Sequence, residues 1–594
     1  MTVETIPILL PACRLDTRAG SPARPGMGRR VLVAVTLLMA MLMVPLSRPA
    51  RAQIADQANP VPTIDRDRID RAVPVLPRPA QGDPVPAPPT VAPAIVPPAG
   101  LTAEGPGAEG PLSAAVLTGV RFDGSTLAEA TLAASVRPWI GKPLDKEVLQ
   151  GIANAVTAAY ARSDIAFYAV SIPPQAPTGG VLLVRAVEGR VVDYALGHRT
   201  PSTPTRLIDR RMKRLMKEMP TRRSTLERTL SLLRDIPGQR VEAKLRRTAR
   251  PGELALDLEV KRKQIELGVN LNNGGVVNVT SGVQAQVTVA ANGLLREADV
   301  TRASAYLSFQ PAHYQFYTLS HATPLGSDGT TLGVSGAYVR TRTRTSDILG
   351  EARQLGIALS HPVIRSYRRN LTVQASLDGA NSSNYYLDTA FGQFRTRALR
   401  LGASWSAIGK TGGYAVSATI SQGLDALGAR PLAGYSQADF RKANAQTTFV
   451  KQVGAKVSLQ ATLRGQYTRD RLATTERFSL GGEGAGLAYR TGIVTADKAV
   501  AGQVQVAWQL IGGAQGKRAL TAFVYGDGVL AHSFARPTYG LKAADYSLAT
   551  AGGGVRVSPL PGWIVEAQVA APVKSISPNY SKKARFLFSL ARSL

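Results

Sequence analysis

The chain has 594 residues, of which 71 are Lys or Arg, 41 are Asp or Glu, five are His and one is Cys. A single cysteine excludes a disulfide-built domain and a cysteine-rich zinc module. Beyond about residue 50, no stretch approaches the roughly 20 consecutive apolar residues of a membrane helix, which excludes a helical transporter. The net charge of +30 raises the question of nucleic acid. Because the sequence has no zinc finger, helix-turn-helix or RNA-binding pattern, we expect no nucleic-acid partner.

The N-terminal region has the features of an export signal. An arginine pair precedes an apolar run at 31–46, and an Ala-Arg-Ala pattern ends at residue 52. Signal peptidase accepts small side chains at such a site. We therefore predict a signal peptide over residues 1–52, with translation beginning at Met1 or at Met27.

Residues 53–110 are unusually rich in proline, with 13 prolines in 58 positions. They show no sustained apolar period, so they predict an extended linker with polyproline II character rather than a folded domain. A spacer and a ligand for a proline-binding domain both fit this composition.

A compact α/β pattern begins after the linker and extends over residues 111–189. Strand-like alternation occurs at 116–122, 167–172 and 181–187. Between the first two strands, Asp145 is placed to cap a helix that extends to about residue 161, because a carboxylate at that position accepts a backbone N–H of the first turn. The order β-α-α-β-β predicts a small first module.

Residues 190–262 repeat the same order and predict a second module. A strand at 190–195 is followed by a helix with an apolar face, and Ser224 to Glu227 has the capping-box pattern for a second helix. Strands at 239–245 and 253–261 complete the unit. Residues 191–262 contain 18 Lys or Arg and 9 Asp or Glu, so the second module is strongly basic.

From residue 263 to 594 the pattern is different, because apolar and polar side chains alternate over segments of about ten residues. In 457–467, Val457, Leu459, Ala461 and Leu463 are predicted to face outward, and Gln460, Thr462 and Arg464 are predicted to face inward. A sheet that crosses a membrane must close into a barrel so that every backbone group is paired. At roughly 20 residues per strand and connection, this region predicts an antiparallel transmembrane barrel of about 16 strands. The same alternation occurs at 265–269, 283–289, 371–377, 414–420, 504–508, 563–569 and 585–590.

Aromatic residues near the predicted strand ends are candidates for the interfacial girdles of such a barrel. They are Tyr306, Phe309, Tyr314, Phe316, Tyr317, Tyr385, Tyr386 and Tyr467.

This layout resembles the outer-membrane transporters of two-partner secretion, the haemolysin and filamentous-haemagglutinin secretion/activation family, whose small modules are called polypeptide-transport-associated (POTRA) modules. Four short segments carry the resemblance in the same order: LSLLRDIPG at 230–238, LSHPV at 359–363, GLDALGA at 423–429 and FSLGG at 478–482. The resemblance implies a Gram-negative outer-membrane protein with periplasmic POTRA modules.

The resemblance also implies a function in type V secretion. An unfolded haemolysin- or adhesin-like exoprotein would bind to the POTRA modules, at a place within 111–262 that the sequence does not identify, and would leave the cell through the barrel. The implied partners are this large secreted client, outer-membrane lipid, periplasmic chaperones and the barrel-assembly machinery.

Members of this family carry a Val-Arg-Gly-Tyr tetrad on an extracellular loop that folds into the lumen, and its arginine pairs with an acid of the barrel wall. The aligned residues here are Gly486, Leu487, Ala488 and Tyr489, so the tyrosine is retained and the arginine is not. Arg490 lies three residues from the lost position and is a candidate to pair with Asp497 or Asp527. The lumen-loop or gating set implied by the resemblance is Gly481, Gly482, Leu487, Tyr489, Arg490 and Asp497.

Two further features depart from the family pattern. The chain ends in Leu594 where such barrels usually end in an aromatic residue, and residues 53–110 have no long helix that would match the plug helix of some members.

We find no sequence basis for catalysis and expect no enzyme activity, cofactor or metal. The histidines at 198, 313, 321, 361 and 532 lack metal-ligand spacing. No Walker loop and no Gly-x-Ser-x-Gly elbow occurs in the sequence. An outer-membrane insertase of the same superfamily and a passive porin remain alternatives to an export pore.

Overall fold

The structure, a computed structural model, describes residues 116–593 except 176–177, 198–202, 281, 513–517 and 577–582. The predicted signal peptide and linker, His198 and Leu594 lie outside the described residues. Among the helices that are described, none combines the length and the apolar character needed to span a lipid bilayer.

The first module has the predicted order of elements, with two helices over a three-stranded sheet. The central strand β3 is parallel to β1 and antiparallel to β2. The carboxylate of Asp145 accepts the N–H of Val148 at 2.7 Å and so caps the second helix, which confirms the predicted helix start. The elements are β1 (Gly119–Asp123), α1 (Glu129–Val136), α2 (Lys146–Arg162), β2 (Tyr168–Ser171) and β3 (Val181–Glu188).

The second module repeats this arrangement, with its last strand β6 at the centre, parallel to β4 and antiparallel to β5. The apolar faces of its helices cover the sheet, and Ile208, Met212 and Leu215 are fully buried. The elements are β4 (Arg190–Gly197), α3 (Thr205–Leu215), α4 (Arg223–Arg234), β5 (Gln239–Arg247) and β6 (Glu253–Arg262).

The predicted capping box at the start of α4 is wrong. The helix begins at Arg223, so Ser224 lies inside its first turn and makes no cap for its own helix. Its backbone N–H and hydroxyl instead donate to the two carboxylate oxygens of Asp164, at 2.9 and 2.6 Å. Asp164 belongs to the first module, so one module supplies the helix cap of the other and the two are joined at that point.

The rest of the chain forms a closed antiparallel barrel of 16 strands, as predicted, in which β24 pairs with β7. Two further short strands, β18 (Phe478–Leu480) and β19 (Val494–Ala496), form a separate hairpin. The barrel strands are β7 (Ile265–Asn272), β8 (Gln284–Asn292), β9 (Val300–Ser308), β10 (Tyr314–Leu325), β11 (Thr330–Arg342), β12 (Ile348–Arg365), β13 (Arg369–Tyr386), β14 (Thr389–Ile408), β15 (Gly412–Gly423), β16 (Arg441–Gln452), β17 (Val457–Thr468), β20 (Lys498–Ile511), β21 (Ala519–Ser533), β22 (Ala544–Ser558), β23 (Trp563–Lys574) and β24 (Arg585–Ser593).

The two ends of the barrel differ. Because β7 follows β6 after two residues, the start of β7 lies at the end of the barrel that faces the second module, here called the module end. Short turns join the strands at this end, for example 326–329, 366–368 and 409–411. The longest connection, residues 469–497, leaves from the opposite end.

The inward and outward faces of β17 follow the predicted alternation. Leu463 and Tyr467 are 40% and 54% exposed, whereas Arg464 and Gln466 between them are buried. The apolar face of this strand therefore points outward and the polar face lines the lumen.

The predicted aromatic girdle is only partly present. Tyr314 and Phe316 are buried inside the barrel, where they pack with Val279 and Tyr306. These rings cannot face a lipid interface, because a segment of the connection between β7 and β8 folds onto them. Four of the predicted aromatic residues are exposed, namely Phe309, Tyr317, Tyr386 and Tyr467.

Candidate functional site

The connection between β17 and β20, residues 469–497, folds into the barrel and is here called the inward loop. It contains the hairpin β18–β19, and its side chains form a buried cluster with residues of β20, β21 and β22, including Leu480, Tyr489 and Leu548. The inward loop therefore occupies part of the lumen that the barrel strands enclose.

Two glycines make the tight turn that follows β18. Gly481 and Gly482 have φ of +84° and +77°, a backbone region that L side chains rarely adopt. A Cβ atom at Gly481 would lie 2.2 Å from the carbonyl oxygen of Arg490. Gly482 donates its N–H to the carbonyl of Tyr489 at 2.9 Å. The two glycines thus allow the arms of the loop to approach at backbone distance.

The tip of the inward loop, residues 486–490, contacts Asp527 of the barrel wall through its backbone. Asp527, on β21, is buried and accepts the N–H of Leu487 at 3.0 Å through Oδ2. Its Oδ1 has no hydrogen-bond partner among the described residues. The next residue, Ala488, donates its N–H to the hydroxyl of Thr550 on β22 at 3.4 Å.

The candidate pairing of Arg490 with Asp497 or Asp527 is wrong. Arg490 donates through Nη1 to the carbonyl of Thr280 at 2.7 Å. Thr491, the following residue, forms a parallel bridge with Val276. Because the chain turns toward the β7–β8 connection at this point, the guanidinium binds Thr280 there and not Asp527 of β21.

Tyr489 is fixed by packing and by one hydrogen bond from its hydroxyl. The side chain is 1% exposed, and its hydroxyl donates to the carbonyl of Lys574 on β23 at 3.0 Å. Its ring lies against Gly486, where an added Cβ would be 3.3 Å from the ring. The retained tyrosine is therefore the main apolar anchor of the tip.

Asp497 lies where the loop returns to the wall, and it pairs with Arg536 and, at 3.7 Å, with Arg477 of the same loop. The two guanidinium nitrogens of Arg536 bind the two carboxylate oxygens at 2.9 and 3.1 Å. Both side chains are almost completely buried. The backbone N–H groups of Leu472 and Phe534 also donate to this carboxylate, at 3.1 and 2.9 Å.

The outgoing arm of the loop is held by a second buried charge cluster. Glu476 accepts from Arg400 on β14 and pairs with Lys442 on β16, both at 2.7 Å. Arg400 also binds Asp378 on β13, at 2.6 and 3.2 Å. Two cations and two anions thus neutralise one another in this cluster, which joins three wall strands to the loop.

The sequence pattern gives no signal for five residues of these charge clusters: Arg536, Glu476, Arg400, Lys442 and Asp378. A charged residue at an inward position of a barrel strand is ordinary, so its type alone gives no signal. Their roles depend on which wall strands the inward loop contacts. These are tertiary contacts between residues far apart in the sequence.

The contacts that hold the inward loop differ in kind between its tip and its two roots, the segments around Glu476 and Asp497. Buried ion pairs hold both roots, whereas the tip is held by backbone hydrogen bonds, by Tyr489 and Arg490, and by Arg585 of β24, which donates to the carbonyl of Leu487 at 3.3 Å. Removing one partner of a buried ion pair costs about 3 to 5 kcal/mol, whereas one neutral hydrogen bond contributes about 0.5 to 1.5 kcal/mol. Displacement of either root therefore separates a buried ion pair, whereas displacement of the tip breaks hydrogen bonds and the packing of Tyr489.

We expect Leu487→Arg to strengthen the tip. Because the backbone N–H of Leu487 bonds to Asp527, a long side chain at this position can reach the Oδ1 of this carboxylate. A charge-assisted bond there should stabilise the inward position by about 1 to 3 kcal/mol. Single-channel recordings should show fewer open events. In an Asp527→Asn background the gain should disappear, and a gain that persists would show that the acid is not its source.

The second module is joined to the module end of the barrel by arginines of α3 and α4. Arg228 donates to the carbonyls of Pro362 at 2.8 Å and Asp328 at 3.1 Å. Arg211 donates to the carbonyl of Ser327 at 3.0 Å. Burial lowers the pKa of Arg211 to about 10, although the nearby acids oppose that shift. Arg365 binds the carboxylate of Asp235 in a bidentate pair at 2.5 and 2.7 Å.

Together, the two modules, the closed barrel and the inward loop define a POTRA-containing outer-membrane β-barrel. Two sequence families match the chain: residues 252–536 match the haemolysin secretion/activation protein ShlB/FhaC/HecB, and residues 115–189 match the ShlB-type POTRA domain. The chain therefore belongs to the haemolysin secretion/activation family. No curated protein sequence matches it.

Solved structures show the same fold. CdiB from Escherichia coli is similar with a TM-score of 0.68 and 18% identity, over 82% of this chain and 92% of that one. CdiB from Acinetobacter baumannii is similar with a TM-score of 0.59 and 14% identity, over 81% and 90% of the two chains.

Membership of the family establishes the location and the general activity. The protein is a two-partner secretion transporter of the outer membrane, with its POTRA modules in the periplasm. The family consists of secretion channels and is not known for enzyme activity. The module end of the barrel is therefore its periplasmic end, and the inward loop enters from the cell surface.

Proposed function

We propose that an unfolded exoprotein binds first to the open edge of β5 in the second POTRA module and then passes through the barrel lumen when the tip of the inward loop moves aside. The observation that carries this proposal is the contrast between roots held by buried ion pairs and a tip held by packing and hydrogen bonds. A loop with this distribution of anchors can clear the lumen without leaving the barrel.

The edge of β5 is suited to an extended polypeptide. Among the described residues, β5 pairs only with β6. Gly238 accepts the N–H of Lys263, so even-numbered residues of β5 bond to β6. The N–H of Gln239 and the carbonyl of Val241 have partners in Ile236 and Arg234. The odd-numbered residues from Ala243 onward therefore present their backbone groups to the open side. An added strand would use these groups without regard to side-chain sequence.

The side chains of β5 add positive charge to this edge. Arg240, Lys244, Arg246 and Arg247 are exposed. Lys244 pairs with Glu259 and Arg246 with Asp257, which partly neutralises these two cations. We infer that the client segment bound here is extended and neutral or acidic, because like charges on neighbouring strands repel.

Ala243→Pro tests the docking edge. Residue 243 presents its N–H to the open side, so proline there removes one donor and adds a ring at the edge without breaking the β5–β6 ladder. We expect secretion of the client to fall by about tenfold, equal to about 1.4 kcal/mol of binding. Secretion is measured as client in the medium, at equal amounts of heat-modifiable barrel.

Ala243→Val is the matched control, since it keeps the N–H and adds side-chain bulk only. Secretion by the valine variant should be close to that of the unchanged protein. Equal secretion by the proline and valine variants would show that the client does not use the edge of β5.

One observation favours a second function, that of an insertase which releases clients sideways into the membrane. The closing pair β24–β7 has five paired residues, the shortest ladder between neighbouring strands of the described barrel, whereas β23–β24 has eight. A short ladder is the easiest place for the wall to open.

Asn270→Cys with Ala591→Cys separates the two functions, because these residues are opposite each other across the closing pair. The disulfide would lock this seam in a chain whose only native cysteine is Cys13. If the client crosses the lumen, secretion should continue after oxidation. Loss of secretion that dithiothreitol restores would support lateral opening instead.

A further inference from the structure

The periplasmic turn between β8 and β9, residues 293–299, presents two exposed leucines on a fixed backbone. Leu294 and Leu295 are 62% and 71% exposed. The fully buried carboxylate of Asp299 accepts the N–H groups of Leu294, Leu295 and Arg296 at 2.8, 3.0 and 2.6 Å. Three charge-assisted bonds hold the turn, so the apolar side chains are held outside the protein core.

This turn is joined to the start of α3. Glu297 accepts the backbone N–H of Arg206 through Oε1 at 2.8 Å, and an acidic group is favourable at a helix N-terminus. Further along α3, Arg211 reaches the carbonyl of Ser327 in the turn between β10 and β11. The helix therefore contacts two periplasmic turns of the barrel, one near each of its ends.

One face of α3 and the residues just after it carries four exposed cations. Arg206, Arg210, Lys213 and Lys217 are separated by four, three and four residues, which places them on one side of a helix. The opposite side is the buried apolar face of the module. Lys213 pairs with Asp209 at 2.8 Å. Among the described residues, no carboxylate forms an ion pair with the other three cations.

We propose that these four cations and the two leucines form a rim surface that binds anionic phospholipid of the periplasmic leaflet. The leucines adjoin the lipid-facing wall of the barrel, where Val287 and Val289 of β8 are exposed, so the apolar surface continues from the wall to the turn. Phosphate headgroups lie at the level of the strand ends and match the positive charge. Cations beside apolar anchors are the arrangement found at membrane interfaces.

A lipid partner explains both parts of the rim surface together. An acidic protein client would need the cations and would leave the two leucines exposed to water. Contact of the rim surface with the leaflet would fix the position of α3 at the membrane, and with it the second POTRA module beside the barrel entrance.

Leu295→Cys, labelled with bimane in the full-length protein, tests this contact. The Cys13→Ser background removes the native thiol. The protein is placed in nanodiscs of phosphatidylcholine with or without phosphatidylglycerol, with part of the lipid brominated in its acyl chains. We expect brominated lipid to quench the probe, by about twofold more when phosphatidylglycerol is present. A probe at Leu387, which is 71% exposed at the opposite end of the barrel, should show no dependence on phosphatidylglycerol.

Charge-reversal variants test whether the cations of the rim surface attract the anionic lipid. Arg206→Glu with Arg210→Glu should remove the phosphatidylglycerol dependence at position 295, and the milder Arg206→Gln with Arg210→Gln should reduce it in protein that remains heat-modifiable. The control, Arg137→Glu with Arg162→Glu, reverses two exposed arginines of the first module and should have no effect. Absence of quenching at position 295 in both lipids, or equal quenching after reversal of the helix charges, would overturn the proposal.

Discussion

Arg536→Ala is expected to release the returning root of the inward loop and to produce a leaky channel. Arg536 is the partner of the buried Asp497, and its guanidinium also donates to the carbonyls of Tyr435 and Leu472 at 3.0 and 3.2 Å. It therefore joins three surface connections at one point: the inward loop and the loops that follow β15 and β21. Truncation would remove the bidentate partner of this buried carboxylate and leave it facing Arg477 at 3.7 Å, which costs up to about 3 to 5 kcal/mol.

Two measurements check this result. Single-channel recordings should show larger and more frequent openings, and cells should admit large antibiotics that the unchanged protein excludes. Arg469→Ala is the matched control, because Arg469 lies at the start of the same loop but is exposed. Arg536→Lys, which keeps a positive charge beside Asp497, should be less harmful than Arg536→Ala.

A closed Arg536→Ala channel with normal thermal stability would show that the buried pair does not hold the loop. A leak in Arg469→Ala of the same size would show that any loss of arginine near the loop has this effect.

The overall fold could be predicted from the sequence because each part has a strong local pattern. Alternation with a period of two residues predicted the barrel strands, and the repeated β-α-α-β-β order predicted the two modules. The cap of α4 could not be predicted, because the carboxylate that binds Ser224 is Asp164 of the other module. A local capping pattern competes with tertiary partners that periodicity does not reveal.

The inward loop could be predicted only in part. Gly481, Gly482 and Tyr489 were identified through the resemblance to a family, and the structure shows why glycine is required at the turn. The partner of Arg490 could not be predicted from the fact that it lies three residues from Leu487, the position where the family has an arginine. Its contact with Thr280 depends on the path of the β7–β8 connection, which the sequence pattern left undefined.

Tyr489→Ala is expected to displace the tip of the loop far more than Arg490→Ala. The tyrosine side chain is buried against β21, β22 and β23, and truncation of a buried aromatic residue costs about 3 to 5 kcal/mol. Arg490 makes one hydrogen bond to a carbonyl, the loss of which should cost about 0.5 to 1.5 kcal/mol. The population of the open channel should therefore rise by several tenfold steps in the first variant and by about one tenfold step or less in the second.

Tyr489→Phe separates packing from hydrogen bonding, since it removes only the donor to the carbonyl of Lys574. Its effect should be much smaller than that of Tyr489→Ala, because the ring and its packing are kept. Single-channel recordings of the three variants, in the same lipid, give the open probabilities to compare. Traces like those of the unchanged protein from both alanine variants would show that neither side chain holds the tip, and a larger effect of Arg490→Ala than of Tyr489→Ala would make the arginine the main anchor instead.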